Sequence, residues 1–252
     1  MIDAAERRVI LAGGFNFRDL GGLATADGRV VRRRQLFRSD ALHRLTPEDV
    51  DILAALEVRT LLDLRSAREI EAAGVGPLRD HGVRHRHVPL IPDATGTAEG
   101  YDDRPMEELY ERFLDDGAAA IRAVFAELAE DATLPAVVHC AAGKDRTGIV
   151  VALVLRAVGV PETEVVADYA LTDANMREVI AAMRAGGRGE DVDRVPPHLM
   201  RAVPETMRGF LARLDRRFGS PEHYLTGIGV DAATRDRVRA LLLDDGAGGP
   251  SR

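Results

Sequence analysis

The sequence predicts an α/β domain in which helices flank a mostly parallel central sheet, with a helical region toward its C-terminal end. Short apolar segments at Thr60–Leu64 and Pro135–His139 have the length and composition of buried strands. A helix signal follows each of them, and strands that alternate with helices usually form a parallel sheet. After Pro161 the strand signals fade, and apolar residues recur at helical spacing.

Local sequence signals predict the elements between the strands Thr60–Leu64 and Pro135–His139. Ser66 and Glu69 have the spacing of a capping box, which predicts the start of a helix. Arg84–Leu90 alternates in the manner of a further strand. Met106–Glu130 predicts one or two helices with a break near Gly117.

The second half of the chain predicts mainly helices. Thr147–Val158 is nearly all apolar, as in a helix that is buried on most sides. Gly186–Asp191 is typical of a flexible connector. We interpret residues 1–245 as a single domain, with about 161–230 as a helical region that either packs on the core or also covers a site, and 246–252 as a flexible tail. Helical spacing appears in three groups: Met176, Val179, Ile180 and Met183; Met207, Phe210, Leu211, Leu214 and Phe218; and the amphipathic segment Asp231–Leu243.

Composition narrows the class of protein. Of the 252 residues, 46% are hydrophobic and 30% are charged, which is typical of a soluble globular protein. No segment approaches the roughly 18 consecutive apolar residues of a membrane span, and the N-terminal residues do not resemble a secretion signal. We therefore expect a cytoplasmic protein without stable membrane insertion, although export that needs no such signal stays open. A net charge of −7 argues against a nucleic-acid partner.

The segment with the clearest chemistry is His139–Gly148, which reads HCAAGKDRTG and lies between a predicted strand and a predicted helix. The only cysteine of the chain, Cys140, is separated from Arg146 by five intervening residues. Such a turn can direct backbone N–H groups at an anion, and the helix adds the positive end of its dipole. Arg146 can hold two phosphate oxygens in a fork, and a thiol in this field ionises readily. The predicted phosphate-binding residues are Ala141, Ala142, Gly143, Lys144, Asp145 and Arg146.

These residues predict attack of the Cys140 thiolate on phosphorus, with a covalent cysteinyl-phosphate intermediate. The hydroxyl of Thr147 either donates to the sulfur as it leaves or caps the helix backbone. His139 is expected to orient the loop through hydrogen bonds rather than to transfer protons. A nucleotide-binding phosphate loop is excluded, because Gly143-Lys144 is followed by aspartate and an upstream glycine is missing. A single cysteine also argues against a thiolate metal site, and we predict neither a metal ion nor another cofactor.

The signature over His139–Gly148 resembles that of the bacterial tyrosine-protein phosphatase family, which also has phosphoinositide-active members. Further similarity follows in the expected order over nearly the whole chain, at Asn16–Gly22, Arg38–Asp40, Asp63–Ser66 with Glu69, Asp168–Tyr169 and Tyr224–Leu225. The resemblance implies a cysteine phosphatase fold, hydrolysis without metal and a helical lid after the catalytic region. It also implies that Lys144 widens specificity toward multiply phosphorylated substrates. The alternative is that Lys144 pairs with a carboxylate such as Asp63.

The general acid has three candidates. The resemblance favours Asp145, because it places an acid in the phosphate loop. Asp93 is the second candidate and Asp63 the third, the latter with more of a supporting role. The chain has no tryptophan, so the Trp-Pro-Asp loop of better-known tyrosine phosphatases is missing. Asn16, Arg18 and the adjacent Asp19 either brace the pocket or shape a turn before the Gly-Gly pair.

The favoured function is a protein-tyrosine phosphatase, with dual specificity left open. Its substrate would be a phosphotyrosine protein or a phosphoinositide, and a phosphoinositide or small-metabolite phosphatase would use the same chemistry. The alternative that is not an enzyme is a phosphate-binding module. Such a module would need no thiolate, so Cys140 argues against it. Sulfur transfer or arsenate reduction would normally use a resolving thiol, and no second cysteine exists.

Overall fold

The structure, a computed structural model, describes residues 4–91 and 106–244. Asp93 and the tail 246–252 therefore lie outside the described residues. Within the described ranges, no helix is both long enough and apolar enough to cross a bilayer.

The described strands are short, and most of them build one sheet. They are β1 (Arg18–Asp19), β2 (Val30–Val31), β3 (Leu36–Ser39), β4 (Thr60–Asp63), β5 (Arg84–His87), β6 (Ala136–His139) and β7 (Leu243–Asp244). The sheet has the order β1-β3-β6-β4-β5, in which β1 is antiparallel to β3 and the other neighbours are parallel. This confirms the predicted mostly parallel sheet. A separate antiparallel ribbon joins β2 to β7.

Helices cover both faces of this sheet and form most of the second half of the chain. The described α-helices are α1 (Ala4–Arg7), α2 (Pro47–Ala55), α3 (Ala67–Ala73), α4 (Met106–Asp116), α5 (Ala118–Leu128), α6 (Asp145–Ala157), α7 (Glu162–Ala170), α8 (Met176–Met183), α9 (Gly189–Arg194), α10 (Pro204–Phe218), α11 (Pro221–Gly227) and α12 (Ala232–Leu242). The capping box is confirmed, because Ser66 and the Glu69 side chain exchange hydrogen bonds at the start of α3. The break at Gly117 is confirmed as well, since it separates α4 from α5.

Two elements differ from the sequence prediction. The strand expected over Arg84–Leu90 ends at His87, although the N–H of Leu90 still donates to the carbonyl of Leu64. The connector expected over 186–191 is shorter than predicted. Only Gly186 and Gly187 depart from helical dihedral angles there, and α9 begins at Gly189. Gly187 has a φ of +83°, a left-handed conformation that glycine adopts without steric cost.

Strand alternation divides the core into two apolar clusters, one on each face of the sheet. Val138 and Leu62 face the larger cluster, which includes α6 and α10, whereas Val137 and Leu61 face a smaller one with α2. A parallel sheet that is covered on both faces places the carboxyl ends of its strands at one edge. Functional sites of open α/β sheets form at that edge.

Candidate active site

The predicted phosphate loop, residues 140–146, begins at the carboxyl end of the central strand β6. Cys140 directly follows β6 and is only 2% exposed, and α6 begins five residues later at Asp145. Gly143 has a φ of +67°, and a Cβ atom on it would lie 2.4 Å from the Ser39 carbonyl oxygen. Only glycine fits this close approach to the backbone. The sequence motif therefore folds as a tight strand–loop–helix turn against the end of β3.

The loop presents backbone N–H groups that can bind an anion. Among the described residues, no acceptor pairs with the N–H groups of Ala141, Ala142 or Gly143. The carbonyl groups of the same loop are engaged instead. Ala141 accepts from the N–H of Ala41 at 3.1 Å, and Gly143 accepts from the Asn16 amide at 3.1 Å. Successive N–H groups around one concavity form the kind of nest that holds phosphate.

Arg146, in the first turn of α6, is fixed by Glu69 of α3. Its two terminal nitrogens, Nη1 and Nη2, donate to the two carboxylate oxygens at 2.5 and 2.8 Å. Glu69 also accepts from the N–H of Ser66 at 2.8 Å as part of the capping box. A bidentate pair of this kind locks the plane of the guanidinium. The sequence pattern identified Glu69 as a helix cap but did not predict that it contacts Arg146.

Asp145 and Lys144 form a polar cluster with a tyrosine that the sequence analysis missed. The Tyr110 hydroxyl donates to Asp145 at 2.6 Å, and Lys144 Nζ lies 3.2 Å from the same carboxylate oxygen. Lys144 also donates to the carbonyl of Leu199. Burial and the charge of Asp145 raise the pKa of Tyr110 well above its usual value, so this phenol stays a proton donor. Tyr110 lies in an apolar helical stripe, which is typical of the core and gives no sign of the contact.

Lys144 does pair with a carboxylate, as the alternative interpretation held, but the carboxylate is that of Asp145. The suggested partner Asp63 is wrong, because Asp63 is bound elsewhere. Arg65 donates to Asp63 from Nε at 2.9 Å and from Nη2 at 2.6 Å. His85 Nε2 lies 2.9 Å from the same carboxylate. Burial alone would raise the pKa of Asp63, but His139, His85 and Arg65 together outweigh burial and hold that pKa well below its usual range. Asp63 is thus a fully buried carboxylate at the end of β4.

His139 and Thr147 lie on either side of the loop. His139 Nδ1 is 3.4 Å from the carbonyl oxygen of Cys140, and burial lowers its pKa, which favours the neutral ring. The Thr147 hydroxyl is buried and has no hydrogen-bond partner in the described part of the chain. The expected cap on the helix backbone is therefore absent among the described residues, and the bond to the departing sulfur stays a prediction.

Arg18 is connected to the loop from behind, through Asn16, whereas Asp19 shapes a turn. Arg18 donates to the side-chain oxygen of Asn16 at 2.6 Å and to Asp168 at 3.1 Å. Asp19 accepts from the N–H of Gly21 at 2.8 Å, which is the turn-forming contact considered from the sequence. The structure thus brings Asn16 and Arg18 to the back of the phosphate loop.

Part of the helical region reaches the loop from the opposite side. A cavity of about 250 Å³ lies beside Ala141 and Glu69, and Met183 and Gly186 of the helical region line it. Arg44 lines the same cavity and donates to the carbonyl of Ala182 at 3.4 Å. The helical region is therefore in contact with the surroundings of the loop.

The buried Asp63 cluster predicts a specific pH dependence of stability. Asp63→Asn should lower the free energy of unfolding at pH 7 by about 3 kcal/mol, because it leaves a buried guanidinium without its counter-charge. Since the pKa of Asp63 is depressed in the folded state, its contribution is complete above the unfolded value of about 3.9 and is lost as the pH falls below it. Urea unfolding of wild type and variant from pH 7 to pH 3 should show this difference shrinking.

A control variant is Asp115→Asn, which removes an exposed partner of Arg217. Its effect on the free energy of unfolding should stay below about 1 kcal/mol at every pH. An Asp63→Asn protein with a pH-independent loss of stability would contradict the assignment of a depressed pKa.

Comparisons of this chain with a family model and with known proteins all point to tyrosine phosphatases. The tyrosine phosphatase family matches residues 9–244. The chain is 31% identical to the triple specificity protein phosphatase PtpB of Mycobacterium tuberculosis, over 92% of this chain and 98% of that protein. It is also 31% identical to a tyrosine-protein phosphatase of Nostoc commune, over 81% of this chain and 73% of that protein.

One solved structure resembles this chain at a lower sequence identity. The core catalytic domain of the PP-IP phosphatase SIW14 of S. cerevisiae aligns with a TM-score of 0.35 at 14% identity, covering 75% of this chain and 89% of that one. The match over residues 9–244 confirms the resemblance seen in the sequence motifs. The chain belongs to the tyrosine phosphatase family.

Proposed function

We propose that this protein is a protein-tyrosine phosphatase that hydrolyses phosphomonoesters through a cysteinyl-phosphate intermediate. The observation that carries the proposal is the arrangement around Cys140. Its loop presents N–H groups with no acceptor among the described residues, and Arg146 is held in a fixed plane beside it by Glu69. Membership of the tyrosine phosphatase family supports the same reaction.

In the first step, the Cys140 thiolate attacks phosphorus, an S–P bond forms and the bond to the leaving oxygen breaks. Arg146 and the loop N–H groups stabilise the charge on the other phosphate oxygens. Asp145 gives the leaving oxygen a proton. In the second step, water attacks phosphorus, Asp145 takes a proton from it, and the thiolate leaves as inorganic phosphate forms. The buried Thr147 hydroxyl can turn to donate to the departing sulfur, because it has no partner among the described residues.

Asp145 is the general acid of this proposal, and Asp93 stays the second candidate outside the described residues. Tyr110 fixes the Asp145 carboxylate next to the loop. Asp63 fits the role less well, since Arg65 and His85 occupy its oxygens. His139 and Asp63 support the loop in this proposal, as do Asn16 and Arg18.

The general acid can be tested through the leaving group. Asp145→Asn should lower kcat by about 10²–10⁴-fold for a phosphoserine peptide, whose alkoxide needs a proton. The loss should be far smaller for an aryl phosphate with an acidic phenol, which can leave unprotonated. Steady-state kinetics with both substrates give the comparison, and Asp115→Asn serves as an exposed control. Equal losses with the two leaving groups would remove Asp145 from this role.

The first candidate substrate is a phosphotyrosine protein, and the second is a phosphoinositide. The choice between these two classes depends on Lys144. Lys144 is a cation in the phosphate loop, and its described contacts are Asp145 and the carbonyl of Leu199. It can therefore turn to a second phosphate group of a substrate. The relative PtpB is a triple specificity protein phosphatase, which favours a broad range of substrates for this chain.

The testing experiment compares phosphate release from a phosphotyrosine peptide and from a multiply phosphorylated inositol lipid, in the presence of a chelator. Lys144→Met should lower kcat/KM for the inositol lipid by about tenfold more than for the peptide, because it removes one charge-assisted hydrogen bond. Equal effects on both substrates would leave the peptide as the favoured substrate. Release from neither substrate by the wild type would instead favour a non-catalytic phosphate-binding module.

We further propose that residues of about 161–230 act as a lid within a single domain of residues 1–245. Leu199 contacts Lys144 of the phosphate loop, and Met183 and Gly186 line the cavity beside it, which supports this role. A cytoplasmic location and the lack of a nucleic-acid partner stay predictions of the sequence.

A further inference from the structure

A buried cluster of charges lies behind the phosphate loop, and no step of the proposed reaction uses it. We call Arg7, Arg18, Arg38 and Asp168 the arginine cluster. Asp168 of α7 accepts from Arg7 at 2.8 Å, from Arg18 at 3.1 Å and from Arg38 at 2.8 Å. Each of the four residues is at most 4% exposed.

Burying this set of charges costs folding free energy, which is unexpected if the cluster has only a structural role. Three guanidinium groups share one carboxylate, so two positive charges are uncompensated within the cluster. Burial and the nearby Arg38 lower the pKa of Arg18 to about 10. Buried charges without a matching partner are unfavourable, and well-packed apolar residues would often stabilise a fold better. An excess of buried positive charge is therefore a reason to look for an anion that it serves.

The cluster is connected to the phosphate loop by Arg38. One terminal nitrogen of Arg38 donates to Asp168, and the other donates to the carbonyl oxygen of Gly143 at 2.7 Å. The Asn16 amide donates to the same carbonyl oxygen, and Asn16 is itself held by Arg18. Two donors tied to the arginine cluster thus hold one carbonyl group on the outer side of the loop.

This connection affects how the loop can bind an anion. A peptide group has its carbonyl and its N–H on opposite sides. When the Gly143 carbonyl is held outward, the N–H of Lys144, which belongs to the same peptide group, points toward the inside of the loop. The guanidinium of Arg38 also brings positive charge close to the loop from behind, in a buried region where screening by water is weak.

We propose that Arg38, fixed by Asp168, is a positioning residue that keeps the phosphate loop in its anion-binding conformation. The inference rests on the proposed function, because it assigns Arg38 a role in the same site. Arg38 does not contact the substrate in this proposal. It acts through the Gly143 carbonyl and through the positive charge of its own guanidinium, which lies against the loop.

The test uses tungstate, a tetrahedral oxyanion, as a competitive inhibitor of aryl phosphate hydrolysis. Arg38→Met should raise the inhibition constant of tungstate by about tenfold or more, because a hydrogen bond from a charged group to the loop is lost. Arg7→Met is the matched control, since it removes a similar buried bond to Asp168 without a described contact to the loop. Arg7→Met should leave the inhibition constant of tungstate within about twofold of the wild-type value, even if Arg7→Met and Arg38→Met lose comparable thermal stability.

Two milder variants cover the case in which Arg38→Met does not fold. Arg38→Lys keeps the charge but cannot fork between Gly143 and Asp168. Asn16→Asp replaces the other donor to Gly143 with an acceptor. Both should weaken tungstate inhibition more than Arg7→Met does. Equal inhibition constants in the Arg38 and Arg7 variants would overturn the inference, whereas a wild type that neither hydrolyses aryl phosphate nor binds tungstate would overturn the proposed function itself.

Discussion

Replacing Cys140 with serine is expected to abolish phosphate release, with a loss of about 10⁴-fold or more. A serine hydroxyl is a far weaker acid than a thiol and stays protonated, so the variant has no competent nucleophile. The measurement is phosphate release from an aryl phosphate in the presence of a chelator. Rapid acid quenching with labelled substrate should also trap a phosphoenzyme in the wild type but not in the variant.

Binding provides the control for this variant. The serine side chain leaves the loop N–H groups and Arg146 in place, so tungstate should bind Cys140→Ser and raise its melting temperature. Retained hydrolysis by the variant, or wild-type activity that a chelator removes, would exclude the cysteinyl-phosphate mechanism.

Arg146→Lys is expected to have the next largest effect, a loss of about 10²–10³-fold in kcat/KM. Lysine keeps the positive charge but cannot hold two phosphate oxygens in a planar fork. It also cannot reproduce the bidentate pair with Glu69 at 2.5 and 2.8 Å. Steady-state kinetics with an aryl phosphate measure the loss, which should appear in kcat as well as in KM.

Arg208→Lys is the matched control for this substitution. Arg208 forms an ion pair with Glu205 at 2.8 Å, but both side chains are more than half exposed. Exposed pairs contribute little, so kcat/KM and stability should remain unchanged within experimental error. If Arg146→Lys behaved in the same way, fixed bidentate contact with phosphate would play no part in catalysis.

The sequence predicted those features of the site that depend on local signals. The apolar strand before Cys140, the helix after it and the capping box of Ser66 and Glu69 are each set by neighbouring residues. The parallel sheet followed from the alternation of such segments. Because the strand, the loop and the following helix are consecutive in the chain, their order was enough to place the loop at the end of a strand.

Contacts between distant segments could not be predicted in this way. Glu69 and Arg146 are 77 residues apart, and Tyr110 reaches Asp145 from a separate helix. A capping glutamate and a tyrosine in an apolar stripe have adequate local explanations, so no local pattern indicated that either residue contacts the loop. The error over Lys144 had the same origin, because nearby charges were considered without knowledge of Arg65.

Glu69 has two tasks at once, since it closes the N-terminus of α3 and aligns Arg146. Any local unfolding of α3 therefore releases the guanidinium, and conversely a bound oxyanion that requires the aligned guanidinium opposes the opening of α3. Occupancy of the site should thus be visible as slower amide hydrogen exchange in a surface helix that never touches the ligand. The short helix α3 is in this sense a reporter of the state of the active site.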